Sequence, residues 1–357
     1  MDSPPWLAND REDLDQVARS VVAWIASALD SPLYAYLASR IAQDPQMLAL
    51  VAAIANTPPL NLLFGGVKLG LTADDALAAW YPHLAGTDAR QPDVEAYQAF
   101  RSHSLDRASA LIEVGATRRT QTNEALRSAA ILPWIASTAK AWDAPIHLVD
   151  IGASAGLNLC LDRFDYDYDG HLILTAFSSA TRLTLRCENR GGFALPERVP
   201  AIASRTGLDL SPIDAADADA TAWLEALVWP EHTDRLERLR AALDIRRDTD
   251  VRMVAGDAAV TLREVEASLP PGPMVVFHTV MAYQLDQEQR RALDAAVAEV
   301  AERRPVARIA MEPVRGTGHQ HIPVGLALHT AEVRASAHAH GRWIDRAASP
   351  ETKASHT

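Results

Sequence analysis

Residues 147–159 read HLVDIGASAGLNL: an apolar run, a loop of small residues, then the start of what reads as a helix. The loop fits two incompatible motifs. Gly152-Ala153-Ser154-Ala155-Gly156 matches G-x-S-x-G, a nucleophile elbow in which Ser154 would attack an ester or amide. Asp150-Ile151-Gly152 with Gly156 matches instead the glycine loop that lets backbone approach a nucleotide-type cofactor at the end of a strand. The two motifs require different surroundings, so the rest of the chain decides between them.

Upstream, residues 12–145 read as helix throughout. Leu14, Val17, Val21, Ile25 and Leu29 recur at three- and four-residue steps and share one helix face. The same spacing returns in PQMLALVAAIAN, ADDALAAWYPHL, VEAYQAFRSHSLDRASALI and NEALRSAAILPWIASTAKAW. Pro58-Pro59 and FGG at 64–66 are read as breaks, and nothing before residue 146 reads as a strand. Downstream the period changes. IHLVDI (146–151) is a short apolar strand, and GLNLCLDRF is expected to continue as a helix. HLILTAF and TRLTLRCE (171–188) read as a pair of strands, with a hairpin as the suggested pairing. AIASRTGLDLSP (201–212) is a strand, and 219–245 is helical. VRMVAGDA, PMVVFHTV and VARIAMEP are three more strands with helices between them, and LALHTAEVRASAHAHGRWIDRA closes the chain as two strands around a turn near 336–341. This alternation predicts an α/β fold, with an all-helical N-terminal domain over 1–120. A mostly parallel sheet with an antiparallel C-terminal strand pair follows over 121–347, with an insertion around 165–200; 348–357 is expected to be a disordered tail.

A nucleophile elbow sits in mid-sheet, after earlier strands whose loops help build its oxyanion hole. Here the loop follows the first strand, and no HGGG-like segment precedes it. Triad partners can still be named in chain order, Asp257 and His329. The glycine-loop reading makes more demands, and the chain meets them in order. An acidic residue should end the next sheet strand to accept hydrogen bonds from ribose hydroxyls, and TGLDLSP places Asp209 there. VAGDA places Asp257 and Ala258 at a further strand end, beside an adenine. The strands ending at His278 and Glu312 then border the reacting side.

VDIGASAG, TGLDLSP, VAGDA and VVFHTV, followed by the terminal strand pair, resemble class I S-adenosylmethionine-dependent methyltransferases over roughly 125–347. More narrowly, RRTQTNEALRSAAILPW, DIGASAGLNLCLDRFDYDY, GLDLSPIDAADADATAWLEALVWPE and VVFHTVMAYQL are similar to a bacterial family, domain of unknown function 2332, over nearly the whole chain. The resemblance implies a Rossmann-like methyltransferase-type fold and S-adenosylmethionine as cofactor; the family carries no assigned reaction. Two features depart from the methyltransferase pattern. Ser154 stands where the loop ordinarily has its middle glycine, narrowing the space beside the cofactor. Asp209 stands 53 positions after Gly156, against about 20 in the general dinucleotide fingerprint.

The cofactor-side candidates are thus Asp150, Gly152, Ser154, Gly156, Asp209, Asp257 and Ala258. Each has a plainer alternative: a tight turn for the glycines, local capping for Asp150, a turn before Ser-Pro for Asp209, a helix N-cap for Asp257. His278 suits a general base or a substrate contact, with a hydrogen-bonded structural histidine as its alternative. Tyr283 and Glu312 are candidates for the same pocket. Asn123 and Glu124 open a helix that could close over the cofactor or could simply cap it. His319/His321 and His338/His340 read as solvated, with no metal expected, and Trp223 and Trp229 read as core.

The chain has 357 residues, 48% hydrophobic and 22% charged, with a net charge of −12. That is an ordinary globular composition with no basic footprint for nucleic acid. Two cysteines are too few for a disulfide framework, no signal peptide is read, and no apolar run nears the ~20 residues of a membrane span. The expectation is a cytoplasmic enzyme that methylates a small molecule. A catalytically silent ligand-binding or regulatory protein on the same fold is one alternative, and a serine hydrolase using Ser154 is another.

Overall fold

The computed structural model describes residues 11–28, 30–313, 324–328 and 333–346. Leu29, His319, His321, His329 and the tail 348–357 lie outside them. The described chain divides into two units: residues up to Thr122 together with Ala218–Glu237, and Asn123–Asp217 together with the rest from Arg238.

The first unit is helical. It contains α1 (Arg11–Ile25), α2 (Pro32–Ile41), α3 (Pro45–Ala53), α4 (Pro59–Leu69), α5 (Pro82–Ala85), α6 (Val94–Asp106) and α7 (Ala108–Thr117). Prolines open α2, α3 and α4, where the missing N–H has no intrahelical partner to lose. Asp44 caps α3 by accepting from the N–H groups of Gln46 and Met47. The core gathers Leu37, Ile41, Met47, Leu50, Leu62, Leu63 and Phe100 around Tyr34 and Phe64, whose rings stack 4.1 Å apart. Residues 64–66 do not break the first half: α4 runs straight through Gly65 and Gly66. A Cβ on Gly65 would stand 3.0 Å from the Trp223 ring, so the glycine is there for close packing. Trp223 is buried in this same core and donates its ring N–H to the Arg119 carbonyl at 2.9 Å. The stretch read as one helix over 219–245 is two, α9 (Ala218–Ala226) and α10 (Thr233–Arg247), and only the first of these lies wholly in the helical unit.

The second unit begins with α8 (Arg127–Trp142) and β1 (Ile146–Ile151). There follow β2 (Asp165–Tyr168), β3 (His171–Ile173), β4 (Thr184–Arg186), β5 (Glu188–Asn189), β6 (Ile202–Asp209), β7 (Arg252–Ala255), α11 (Ala258–Ser268), β8 (Met274–Thr279), α12 (Gln287–Ala301), β9 (Val306–Pro313), β10 (Val324–Leu328), β11 (Val333–Ala337) and β12 (Trp343–Arg346). The main sheet runs β5-β12-β11-β10-β9-β8-β1-β6-β7. Its centre, β7-β6-β1-β8-β9, is entirely parallel. Every residue of β1 and β8 is buried, as expected of strands covered on both faces. On one face Val149, Ile151, Leu208 and Val276 pack with Leu262 and Val265 of α11 and Leu293 and Val300 of α12.

The chain lays down β1, β6 and β7 toward one edge, then returns to build β8 and β9 on the other side of β1. The strand order therefore reverses between β1 and β8, and ligands of open α/β sheets bind outside the strand ends at such a reversal. Three local expectations change. Residues 157–163 form a 3-10 turn kinked at Cys160, not an α-helix. The strands at 171–188 are not a hairpin, because β2 lies between them, antiparallel to β3 and parallel to β4. Beyond β9 the sheet continues with three antiparallel strands, β10, β11 and β12, where the sequence suggested two. Among the described residues no helix is long and apolar enough to cross a membrane.

Candidate functional site

The loop after β1 turns back through three left-handed residues, Gly152 (φ 75°), Ser154 (φ 51°) and Gly156 (φ 75°). Glycine adopts this region freely; a serine does so only when its surroundings hold it. The surroundings are specific. Asp209, at the end of the neighbouring β6, accepts the Ser154 N–H on Oδ2 and the Ser211 N–H on Oδ1, both at 2.8 Å. Asn123 donates through Nδ2 to Ser154 Oγ at 2.9 Å and accepts the Ala155 N–H on Oδ1 at 3.1 Å. At Gly152 a Cβ would fall 2.8 Å from Met281 Cγ, so the backbone approaches the segment after β8 more closely than any side chain permits.

Asp150 is buried at the end of β1. Burial, followed by the charge of Asp209, raises its carboxyl well above the usual range against the pull of Arg127. Arg127 is itself buried and donates to the carbonyls of Thr279 (3.1 Å) and Ala339 (2.9 Å). Asn123 and Glu124 do not open α8, which starts at Arg127; they occupy the turn before it. Their roles diverge. Asn123 clamps the glycine loop, whereas Glu124 accepts from Arg238 Nε at 2.8 Å and from the Leu126 N–H at 3.1 Å. Asp257 caps α11, its Oδ1 accepting the Ala259 N–H at 2.7 Å, and Ala258 is the first residue of that helix. The plainer reading of Asp257 therefore describes its present contacts.

His278, the last residue but one of β8, has its side chain 2% exposed. The register explains its neighbours. His278 is paired with Ala310, so Arg308 and Glu312, two positions to either side on β9, flank it on the same face. Arg308 Nε donates to His278 Nε2 at 3.2 Å, and because arginine can only donate, Nε2 accepts. Nδ1 therefore carries the hydrogen and donates it to Glu312 Oε1 at 2.6 Å. Both ring nitrogens are engaged, which fits the structural alternative for His278 better than a free base. Glu312 Oε1 also accepts the Met281 N–H at 3.1 Å, while Glu312 Oε2 is buried with no hydrogen-bond partner among the described residues. Burial alone would raise this carboxyl, but the hydrogen bond from His278, the charge of that ring when protonated, and the N–H groups of Met281 and Ala282 outweigh it and hold it below the usual range. Tyr283 stands 56% exposed in a short turn and is not part of this buried set.

The loop, Asp209, His278 and Glu312 thus sit at adjacent ends of β1, β6, β8 and β9. Of the suggested hydrolase residues, Ser154 Oγ is the acceptor of Asn123, Asp257 caps a helix, and His329 lies outside the described residues. His338 and His340 stand with rings 5.8 Å apart, and His338 Nδ1 accepts the His340 N–H. Among the described residues no group of three or more histidine, cysteine or acidic side chains is placed to hold a metal. The helical unit carries a 620 Å³ concavity lined by Asp75, Trp80, Arg90, Glu95 and His103, whose charged groups pair with one another.

Arg308 and Met281 went unnoticed in the sequence. The alternation of VARIAMEP, which puts Arg308, Ala310 and Glu312 on one side of a strand, was the available signal for the first. No local pattern signals Met281, because its contact with Gly152 joins residues 129 positions apart.

The sequence profile of a bacterial family, described as uncharacterized protein conserved in bacteria (DUF2332), matches residues 18–346. Comparison with curated proteins returns no match.

Proposed function

The chain belongs to that bacterial family, and we propose that it is a cytoplasmic, S-adenosylmethionine-dependent methyltransferase of Rossmann-like fold acting on a small molecule. The observation that carries this reading is the left-handed loop at the end of β1, locked to an acidic residue at the end of β6, beside the reversal of strand order. The residues fit the cofactor. Gly152 is an exposed backbone position with no room for a Cβ, and the group against it is Met281, a flexible side chain able to shift. Asp209 uses one lone pair of Oδ2 on the loop and one of Oδ1 on the Ser211 N–H, leaving others to accept two ribose hydroxyls. Asp150, buried at the end of β1 with its carboxyl shifted toward the neutral form, stands under the same loop.

The cofactor supplies a methyl group on a sulfonium, open to direct displacement by a nucleophile. The protein then has mainly to align the partners, since fixed orientation supplies much of such a rate. Asn123 and Asp209 hold the loop in a single geometry, and Arg308 and His278 fix the Glu312 carboxylate at the next strand ends. The acidic net charge favours a small substrate over nucleic acid. A second reading, a ligand-binding protein without catalysis, draws on Ser154, whose side chain occupies a position usually left bare.

Calorimetric titration with S-adenosylmethionine and S-adenosylhomocysteine tests the proposal. The wild type is expected to bind both, and Asp209→Ala neither, while Asp209→Asn keeps one acceptor oxygen for the loop and should bind weakly. A wild type that binds neither compound sinks the methyltransferase reading. Labelling of Ser154 by a fluorophosphonate would put the hydrolase in its place.

A further inference from the structure

Glu312 presents a chemical imbalance that its own neighbours do not relieve. Its Oε1 takes two hydrogen bonds, from His278 Nδ1 and the Met281 N–H, whereas its Oε2 is fully buried and takes none among the described residues. Nor does any lysine or arginine pair with it among the described residues. His278 is the neutral tautomer, and Arg308 directs Nη1 to Asp294, so that pair balances itself. A buried carboxylate oxygen without a hydrogen-bond donor is unfavourable, and in a folded protein it calls for an explanation such as a functional role or a bound partner. The segment lying against it supports a functional origin. Val280, a β-branched residue, is held at φ 54°, a conformation retained only when the surrounding structure imposes it. The next residue, Met281, binds the carboxylate through its N–H and lies on Gly152 with its side chain.

We propose that Glu312 Oε2 is the recognition point for an ammonium group of a ligand, with Arg308 and His278 as positioning residues that hold the carboxylate for it. An ammonium supplies both missing quantities, an N–H donor for Oε2 and a positive charge against the unbalanced carboxylate. A hydroxyl supplies only the first and a quaternary ammonium only the second. His278 cannot compete for this role, because both its nitrogens are engaged. Arg308 acts at one remove: by occupying Nε2 it fixes the tautomer that points Nδ1–H at Oε1, leaving Oε2 as the open acceptor. The inference stands on this geometry and does not rest on methyl transfer.

The test uses the full chain labelled with ¹⁵N-histidine, the His278 ring signals being assigned by their loss in His278→Gln. Titrants are n-butylammonium, n-butanol and tetramethylammonium chlorides or solutions at matched ionic strength. A donor cation at Oε2 draws charge from Oε1 and weakens its bond to Nδ1–H, so n-butylammonium is expected to shift the His278 signals saturably. The other two compounds should leave them in place, and Glu312→Gln should lose the response. Arg308→Gln, with unchanged melting temperature, should weaken the n-butylammonium response about tenfold. The proposal is overturned if n-butylammonium produces no saturable shift, if n-butanol or tetramethylammonium matches it, or if Glu312→Gln retains it. The comparison among wild-type titrations stands even if a variant fails to fold.

Discussion

Replacing Ser154 by alanine and by glycine separates what its side chain contributes from what its backbone costs. Ser154 Oγ accepts from Asn123 Nδ2 at 2.9 Å, and both residues are buried. Ser154→Ala removes the acceptor and leaves a buried amide donor short of a partner, a loss of about 1–3 kcal/mol. Alanine at φ 51° keeps the left-handed strain, roughly 1–2 kcal/mol for any residue with a Cβ. Ser154→Gly loses the same hydrogen bond but releases that strain, while the freer unfolded chain takes back about 0.4–1 kcal/mol. The glycine variant should therefore be more stable than the alanine variant by about 0.5–1 kcal/mol. At roughly 2–4 °C per kcal/mol for a unit of this size, Ser154→Ala lowers the melting temperature by about 2–12 °C and glycine recovers about 1–4 °C of it. Differential scanning fluorimetry resolves these shifts. Combining Ser154→Ala with Asn123→Ala should give a coupling of about 1 kcal/mol, because the two share one hydrogen bond. Equal stability of the glycine and alanine variants, or strict additivity with Asn123→Ala, would show that the loop is neither strained nor clamped in this way.

Asp150 and the cysteines give two further predictions. The Asp150 carboxyl is raised in the folded state, chiefly by burial, so the fold binds a proton that the unfolded chain releases. Its stabilising contribution is complete below the unfolded pKa and is lost as pH rises through the folded one. Asp150→Asn mimics the protonated form, and its melting temperature should gain on the wild type progressively from pH 4 to pH 8; a gap that stays constant or narrows contradicts the assignment. Burial pushes the Cys160 thiol up to about 11 and the Cys187 thiol up to about 12. Neither should react with iodoacetamide at pH 8 in the folded protein, and both should react in urea. Rapid labelling under native conditions would show that the fold around them is open.

The parallel strands were legible because each carries its signal within a few residues. IHLVDI, PMVVFHTV and VARIAMEP are short apolar runs bounded by turn residues, and the structure places β1, β8 and β9 there. The same local logic failed where a distant partner decided the outcome. Gly65 reads as a helix breaker until Trp223, 158 positions away, is packed against it. The strands at 171–188 look like neighbours until β2 separates them. Asn123 reads equally well as a helix cap, and only the fold turns its amide onto Ser154 and Ala155.

The sequence by itself therefore determined the helical or strand character of most elements and the residues near the strand ends, since period, capping chemistry and turn residues act over a few positions. It marked Asp150, Asp209, His278 and Glu312 because strand ends are local features. Only the tertiary structure decided what those residues do. Strand order put Asp209 beside the Ser154 N–H, burial raised the Asp150 carboxyl, and the β8–β9 register set His278 between Arg308 and Glu312. Hydrogen-bond occupancy and charge balance depend on which groups meet, and HLVDIGASAGLNL cannot say who will meet it.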